Sequence, residues 1–131
     1  MQLIDKVAWL CVVDRKLLLV RTRGRRLSYV PGGKRELGET DQAALIREIK
    51  EEVNVELNVS SLRFAGCYCD WADGYDAAKV QLTAYFADYA GVLATAAEIE
   101  EMCWVTSTTS RPVSAVARRV LLQLKHDGVI D

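Results

Sequence analysis

Strand-type and helix-type segments alternate along this chain of 131 residues. Two β-branched and leucine-rich runs, Ile4 to Val13 and Lys16 to Thr22, are separated by the turn-forming pair Asp14-Arg15. A stretch rich in good helix formers follows from Asp41 to Val53, with apolar residues at helical spacing. Because this helix interrupts the strands instead of following them, the pattern predicts an α+β fold in which helices flank a mixed β-sheet.

The second half of the chain repeats this alternation. A second helix is predicted to begin at Pro112, because proline is favoured at the first helical position, and to end before Asp127-Gly128. No internal repeat or linker separates the segments, so a single domain is expected over residues 1–131. The other predicted elements are the strands Arg63 to Asp70, Ala78 to Tyr89 and Met102 to Val105, and the loop Trp71 to Ala77.

The charge balance of the chain excludes a broad electrostatic attraction to polyanions. With 17 basic and 18 acidic residues the formal net charge is −1, so neither a nucleic acid polymer nor a membrane is an expected partner. No stretch approaches the roughly 20 apolar residues that span a bilayer, and no secretory leader pattern is recognised. The protein is therefore expected to be soluble and cytoplasmic.

The four cysteines are expected to be buried free thiols. Each lies in a stretch that alternates or runs apolar, where a thiol behaves as a small hydrophobe. Their spacing matches no Cys-x-x-Cys zinc pattern, and a metal or redox site is the alternative. The residues are Cys11, Cys67, Cys69 and Cys103.

Three glutamates share one side of the first predicted helix. At about 100° per residue, Glu48 and Glu52 lie within about 40° of one another, and Glu51 lies about 60° from Glu48. Like charges at this spacing repel, and a bound cation would relieve the repulsion. Oxygen ligands on a rigid helix suit Mg²⁺, with Mn²⁺ as a second choice. Judged on the helix alone, a solvated acidic face is the favoured alternative.

A glycine-rich turn leads from a strand towards this helix. It begins at Pro31-Gly32-Gly33, and glycine lets the backbone approach a ligand closely. Counted from Gly33, five residues precede Glu39, and seven more precede the run Arg47-Glu48-Ile49-Lys50-Glu51-Glu52-Val53-Asn54-Val55. This spacing resembles the signature box of the Nudix hydrolases in every specified position but one. Asn54 stands where the family has glycine, and asparagine tolerates the same left-handed conformation.

The resemblance implies an α/β/α sandwich, in which helices flank a mixed sheet, and a divalent metal site. In that site Glu48 and Glu52 are the expected metal ligands, and the Gly33 carbonyl is a further ligand. Glu51 is expected to be either another ligand or the base that activates water. The expected metal is Mg²⁺, with Mn²⁺ as the alternative.

The same resemblance assigns supporting roles to residues around these ligands. Arg47 would hold the glutamates in orientation, and Glu39 would join the glycine-rich loop to the helix. The general base in this family often lies outside the box, in a segment similar to the acidic run before Trp104. Glu98 is the first choice in that run and Glu101 the second, while a solvated loop is the alternative.

Cationic and aromatic residues near the box are candidates for substrate binding. Of the four arginines that precede the glycine-rich turn, Arg23 is the first choice for a phosphate contact, and Lys34 is another candidate. For both residues, the alternative is an ordinary solvent-exposed charge that contacts no ligand. Stacking on a nucleobase is expected from Tyr29 or Trp71, with Tyr75 as a further candidate, while rings that cap the core are the alternative.

Together, these features imply a Mg²⁺-dependent hydrolase that cleaves a diphosphate linkage in a nucleoside-diphosphate-X substrate. A nucleoside triphosphate, cleaved to a nucleoside monophosphate and pyrophosphate, is the first choice. Nucleotide sugars and dinucleoside polyphosphates are the alternatives within the same chemistry. A module that binds nucleotides without turnover is the alternative of another class, and the intact set of box glutamates disfavours it. The expected partner is a small-molecule nucleotide, and the sequence does not decide whether the chain forms a homodimer.

Overall fold

The structure is a computed structural model that describes residues 2–72 and 77–131. None of the helices among these residues is both long and apolar enough to cross a membrane. The strands are β1 (Gln2–Trp9), β2 (Val12–Val13), β3 (Lys16–Thr22), β4 (Gly32–Gly33), β5 (Glu56–Leu57), β6 (Arg63–Trp71), β7 (Ala78–Phe86), β8 (Tyr89–Ala90) and β9 (Ile99–Val105). The helices are α1 (Asp41–Val53) and α2 (Ala115–His126), with a short 3-10 helix at Val59–Ser61.

The main sheet is mixed, as predicted. Its strand order is β4-β1-β7-β6, in which β1 and β7 run parallel while β4 and β6 pair antiparallel with their neighbours. A second sheet has the antiparallel order β2-β3-β9, and β5 and β8 form a short antiparallel pair. This topology places the glycine pair of β4 at one edge of the main sheet, directly beside β1.

The two helices cover opposite sides of the sheets. At the end of β1, Val7 and Trp9 belong to the hydrophobic cluster that includes α1, whereas Ala8 and the following residue Leu10 belong to the cluster that includes α2. Because both faces are buried at these positions, the sequence from Val7 to Val13 is a continuous apolar run. The arrangement confirms the predicted fold class, an α+β sandwich with helices on both sides.

Helix α1 spans the residues predicted for it. Thr40 is its N-cap, and the Thr40 hydroxyl accepts a hydrogen bond from the Ala43 N–H at 3.1 Å. At the other end Asn54 is left-handed with φ 66°, and its N–H donates to the Lys50 carbonyl at 3.2 Å. Asparagine thus adopts the conformation for which the family pattern has glycine.

The predicted strand from Ile4 to Val13 is in fact two strands in different sheets. The Leu10 N–H still donates to the Tyr85 carbonyl of β7 at 2.9 Å. One residue later, the Cys11 carbonyl accepts from the Leu18 N–H of β3, also at 2.9 Å. The chain therefore passes from the main sheet to the second sheet at this point, which an unbroken apolar run does not reveal.

The predicted start of the second helix is wrong by three residues. Helix α2 begins at Ala115 rather than at Pro112. Ser114 is its N-cap, because the Ser114 hydroxyl accepts from the Ala117 N–H at 3.1 Å. The Pro112 carbonyl instead accepts the Ser28 N–H at 3.0 Å, which ties the segment before α2 to the segment before β4.

Several strand ends also differ from the predictions, because pairing with a neighbour decides where a strand ends. Trp71 is the last residue of β6 and pairs with Lys79, so it does not belong to a loop. Strand β7 ends at Phe86, and Tyr89 belongs to the separate strand β8. Strand β9 begins at Ile99 and is longer than predicted.

The expectation of buried cysteines is wrong for two of the four. Cys11 is buried and Cys103 is partly buried, but Cys67 and Cys69 are exposed. Both exposed thiols lie in β6, the edge strand of the main sheet, and they alternate with Tyr68, which packs against the α2 cluster. The face of β6 that carries the thiols is open to solvent, so apolar alternation did not imply burial there.

Candidate functional site

The glycine pair of β4 lies against two of the helix glutamates. The Gly32 N–H donates to Glu52 Oε1 at 2.8 Å. A Cβ atom built on Gly33 would lie 2.5 Å from Glu48 Cδ and 2.7 Å from each Glu48 carboxylate oxygen. The absence of a side chain at Gly33 therefore makes room for the Glu48 carboxylate. As a result, the strand edge and the helix bring Gly33, Glu48 and Glu52 together.

Arg47 connects the glycine-rich loop to this cluster. Its Nε and Nη2 atoms donate to the two carboxylate oxygens of Glu39, both at 2.7 Å, in a bidentate pair. Its Nη1 atom donates to Glu48 Oε1 at 2.9 Å, and Nη2 also donates to the Lys34 carbonyl at 3.1 Å. The Arg47 hydrogen bonds lower the pKa of Glu39 to about 2. One guanidinium thus bridges the loop and a glutamate of the cluster.

The two clustered carboxylates are unfavourable as neighbouring charges. Burial raises the pKa of Glu52 to about 8, the Gly32 N–H opposes that rise, and the charge of Glu48 adds to it. Burial also raises the pKa of Glu48, against the hydrogen bond from Arg47. Without a further positive charge, the site holds two partly desolvated groups that resist being ionised together. A divalent cation would remove that conflict.

The donors at this site fit a hard divalent cation such as Mg²⁺. They are carboxylate oxygens, and the side-chain-free position at Gly33 leaves a backbone segment close to them. Glu51 is oriented differently: its side chain is 53% exposed and lies 3.5 Å from Arg47 Nη1. Within residues 2–72 and 77–131, no three His, Cys, Asp or Glu side chains form a ready metal-binding group. The geometry thus supplies two carboxylates, and the ligand roles predicted for Gly33, Glu48, Glu51 and Glu52 stay predictions.

A cavity of about 300 Å³ opens beside Glu52. Gly32, Glu52 and the cationic side chains of Lys6, Lys34 and Arg25 lie near one another in its wall, and the remaining wall is largely apolar with contributions from both sheets and α2. An elongated ligand could therefore place a charged group near Glu52 and an apolar or aromatic group deeper in the cavity. The lining residues are Ile4, Lys6, Thr22, Arg25, Leu27, Tyr29, Val30, Gly32, Lys34, Glu52, Trp71, Ala72, Val80, Leu82, Ser114, Val116 and Ala117.

Most of the predicted substrate residues reach this cavity. Lys34, Tyr29 and Trp71 line it, whereas Arg23 does not, and Arg25 is the arginine that does. Arg23 is exposed, and its N–H donates to the Glu98 carbonyl at 2.8 Å. Tyr75, the further stacking candidate, lies outside the described residues.

The two aromatic residues of the cavity differ in how firmly they are held. The Tyr29 hydroxyl lies 2.6 Å from the Thr22 hydroxyl. Burial raises the pKa of Tyr29 to about 12, and the charge of Glu52 adds to this rise. Trp71 is 55% exposed, and the Lys79 ammonium lies 5.0 Å from the centre of its ring. Tyr29 is thus part of the wall, whereas Trp71 lies at the mouth.

The two candidates for the general base have different surroundings. Glu101 forms ion pairs with Arg111 and with Arg21, the latter at 3.8 Å. Glu98 is exposed, directly precedes β9 and contributes to the electrostatic environment of Tyr29. Of the two, Glu98 is therefore the carboxylate with a link to the cavity wall, and its predicted role stays a prediction.

Among the lining residues that were not identified from the sequence, two carry polar side chains from distant elements, Lys6 and Ser114. Lys6 lies in β1, and its side chain enters the cavity next to Lys34 and Glu52. The available pattern was that Lys6 stands between Ile4 and Ala8 on a strand face that is otherwise buried. Ser114 comes from the start of α2, far away in the sequence, and no local pattern indicates its position.

Comparisons with known proteins agree with this architecture. A family model described as NUDIX domain matches residues 4–124. The chain is similar to the solution structure of the E. coli ORF135 protein, with 24% identity, a TM-score of 0.74, and coverage of 97% of this chain and 94% of that one. It is also similar to the crystal structure of a MutT NUDIX hydrolase from Burkholderia pseudomallei, with 21% identity, a TM-score of 0.80, and coverage of 95% and 99%.

A third similar structure is that of a UDP-X diphosphatase, with 19% identity, a TM-score of 0.74, and coverage of 98% of this chain and 64% of that one. At these identities the solved structures show a shared fold. A search of curated proteins finds no significant match.

Proposed function

Because this chain belongs to the Nudix hydrolase family, whose members are pyrophosphohydrolases, we propose that it hydrolyses a diphosphate linkage of a nucleoside-diphosphate-X substrate with Mg²⁺, or Mn²⁺, as cofactor. The observation that carries the proposal is that Glu48 and Glu52 lie against the Gly32–Gly33 strand and that Glu52 also lines a cavity. A nucleoside triphosphate is the proposed first substrate. Nucleotide sugars and dinucleoside polyphosphates contain the same linkage.

The proposed metal ligands are the carboxylates of Glu48 and Glu52 and the Gly33 carbonyl, with Glu51 as a further ligand or a base. When bound, the cation neutralises charge on the diphosphate and orients the attacking water. Arg47 holds Glu48 from one side at 2.9 Å, which leaves the other carboxylate oxygen available. The Gly32 N–H holds Glu52 in the same manner. The protein thus positions both carboxylates before the substrate arrives.

The reaction proposed is attack of water on one phosphorus of the diphosphate. A P–O bond forms to the water oxygen, and the bond from that phosphorus to the bridging oxygen breaks. For a nucleoside triphosphate cleaved between the first and second phosphates, the products are a nucleoside monophosphate and pyrophosphate. A carboxylate, proposed to be Glu98, accepts the proton that the water loses. Within the cavity, Lys34 is proposed to contact phosphate oxygens, and Tyr29 and Trp71 the base. Arg23 lies outside the cavity lining and is proposed to contact only a phosphate that extends beyond it.

The decisive experiment is a hydrolysis panel with a matched pair of variants. Nucleoside triphosphates, nucleotide sugars and dinucleoside polyphosphates are incubated with Mg²⁺ or EDTA, and products are separated by chromatography. Glu52→Gln should lower kcat/KM by more than about 100-fold, because even supporting residues of metal sites are worth about 10- to 100-fold. Glu56→Gln, which alters an exposed glutamate in β5, should retain the activity of the unmodified protein.

Two outcomes of this panel decide against parts of the proposal. If the unmodified protein cleaves no compound faster than Glu52→Gln, the proposed hydrolysis of these substrates is contradicted. If activity survives in EDTA, the metal assignment fails. Hydrolysis in ¹⁸O-labelled water then shows which phosphorus is attacked, because the label appears in only one of the two products.

A further inference from the structure

Lys6 occupies a strand position at which its neighbours are apolar. On the same face of β1, Ile4 is 3% exposed and Ala8 is fully buried. Because side chains along a strand alternate between the two faces of the sheet, the Lys6 side chain points to the same face as Ile4 and Ala8. It extends into the cavity, where it is partly buried. A buried lysine is rare unless its ammonium group pairs with a negatively charged group.

The protein supplies little negative charge to balance Lys6. Lys34 and Arg25 line the same cavity, against the single carboxylate of Glu52. Burial lowers the pKa of Lys6, Lys34 lowers it further, and Glu52 with Glu48 opposes both effects. None of the ion pairs formed within residues 2–72 and 77–131 includes Lys6. An anionic ligand would give this desolvated ammonium group its partner.

The position of Lys6 along the cavity indicates which part of a ligand it would meet. In the register of the main sheet Lys6 lies opposite Leu82, a residue of the apolar wall. Its ammonium is nevertheless close enough to Glu52 and Lys34 for their charges to act on it. A nucleotide with its base against the apolar wall and its diphosphate at Glu52 would therefore bring its first phosphate, which joins these two parts, towards Lys6.

We propose that Lys6 binds the phosphate group attached directly to the nucleoside and so determines where the diphosphate lies relative to the two carboxylates. This inference rests on the proposed function, because it takes a nucleotide as the occupant of the cavity. Lys6 would act together with Lys34, which borders the same end of the cavity. The phosphate contact is common to all nucleotides and does not depend on the base.

Two other roles for Lys6 make different predictions. If Lys6 served only as an internal counter-ion for Glu52, its removal would change Mg²⁺ binding and would leave metal-independent contacts intact. If Lys6 contacted the base, its removal would alter the preference among bases, because only some bases place an acceptor at a given position. A phosphate contact instead predicts an equal loss for every base and retention of the metal.

The test uses the full chain and four probes that cannot be cleaved between the first two phosphates, the α,β-methylene triphosphates of adenosine, guanosine, cytidine and uridine. Their affinities are measured by calorimetry with Mg²⁺ for the unmodified protein, Lys6→Met, Lys6→Arg and Lys16→Met. Met keeps the length of the side chain and suits the apolar face, and Lys16 is an exposed lysine of β3. Thermal unfolding with and without Mg²⁺ checks folding and metal binding.

We expect Lys6→Met to weaken every probe that binds by about 10-fold or more, since a hydrogen bond to a charged group is worth that much. The loss should be the same for all bases, Lys6→Arg should recover part of it, and Lys16→Met should bind normally. The Mg²⁺-induced rise in Tm should persist in Lys6→Met. Unchanged affinity, a base-dependent loss, loss of the Mg²⁺ effect, or no binding of any probe to the unmodified protein would each overturn the inference.

This outcome is separate from that of the hydrolysis panel. If the protein binds the probes through Lys6 but cleaves none of the panel, the proposed phosphate contact is supported and the proposed hydrolysis is contradicted. If the protein cleaves a nucleotide and Lys6→Met binds the probes normally, the hydrolysis is supported and the phosphate contact is contradicted.

Discussion

Gly32 and Gly33 are adjacent in β4, but the structure requires each of them for a different reason. Gly32 has φ +150°, and a Cβ atom there would overlap the Val7 carbonyl oxygen and lie 2.8 Å from Ala8 Cα. Those are backbone atoms of the neighbouring strand and cannot move away. The three atoms nearest to a Cβ atom on Gly33 would all belong to the carboxylate of Glu48, the end of a flexible side chain. Gly32 therefore serves the sheet, and Gly33 serves the site.

Alanine substitutions should separate these two requirements. Gly32→Ala is expected to cost about 3 kcal/mol of unfolding free energy, because it forces two strands apart. Gly33→Ala should unfold within about 1 kcal/mol of the unmodified protein, because Glu48 can rotate away. The same rotation should weaken Mg²⁺ binding. Urea unfolding and a Mg²⁺ titration measure both effects, and an equal loss of stability in the two variants would contradict this distinction.

Helix α1 depends on contacts at both of its ends to present Glu48 and Glu52 correctly. Near its start, Glu39 receives two hydrogen bonds from Arg47 and accepts the Glu36 N–H at 2.7 Å. This network joins the loop to the helix. Its strength depends on pH, because the contacts hold the pKa of Glu39 at about 2, against an ordinary value of 4.5.

A pH series with Glu39→Gln tests this network. Since the pKa of Glu39 is lowered by folding, its stabilisation is complete above about pH 4.5 and is lost as the pH falls towards about 2. The Tm of Glu39→Gln should therefore be below that of the unmodified protein at about pH 7, and the gap should narrow at about pH 3. Glu36→Gln, at an exposed position 3.7 Å from Arg47, is the control. A gap that is constant over this range would argue against the ion pair.

Asn54 ends α1 in the left-handed conformation, with φ 66°. Asn54→Ala should cost about 1 kcal/mol of unfolding free energy, because a β-carbon without a local polar contact is strained there. Asn54→Gly, which restores the family residue, should be more stable than Asn54→Ala and close to the unmodified protein. Urea unfolding of the three proteins provides the comparison. Equal stability of the alanine and glycine variants would mean that the left-handed turn is not a constraint.

For the molecule as a whole, the buried carboxylates link folding to metal binding. A cation that binds only the folded state raises stability by about 2.7 kcal/mol at a concentration 100 times its Kd. The Tm should therefore rise with Mg²⁺ and fall in EDTA. In EDTA near pH 7, Glu52→Gln should be more stable than the unmodified protein, because burial raises the pKa of Glu52 to about 8 and the folded state must therefore take up a proton that Gln does not need. Thermal scans of both proteins with Mg²⁺ and with EDTA measure these changes in Tm. A Tm that does not change with the Mg²⁺ concentration would contradict the metal site.

Features that depend on near neighbours could be predicted from the sequence. The bounds of α1, its N-cap and the left-handed end at Asn54 follow from residue preferences within a few positions. The mixed sheet with flanking helices followed from the order of the segments, and the box spacing from Gly33 to Glu52 indicated the family. These patterns are local, so the chain carries them in any arrangement of its elements.

Features that depend on contacts between distant segments were decided only by the tertiary structure. The pattern around Cys67 predicted burial, but β6 lies at a sheet edge and leaves that thiol exposed. Arg25 reaches the cavity while Arg23 does not, and Ser114 arrives there from the other end of the chain. From the sequence, Lys6 is a polar residue in a largely apolar strand, and only the tertiary structure places it in a cavity that α1 and α2 also line. Burial and charge proximity are sums over all neighbours in space, and a linear sequence specifies only the neighbours along the chain.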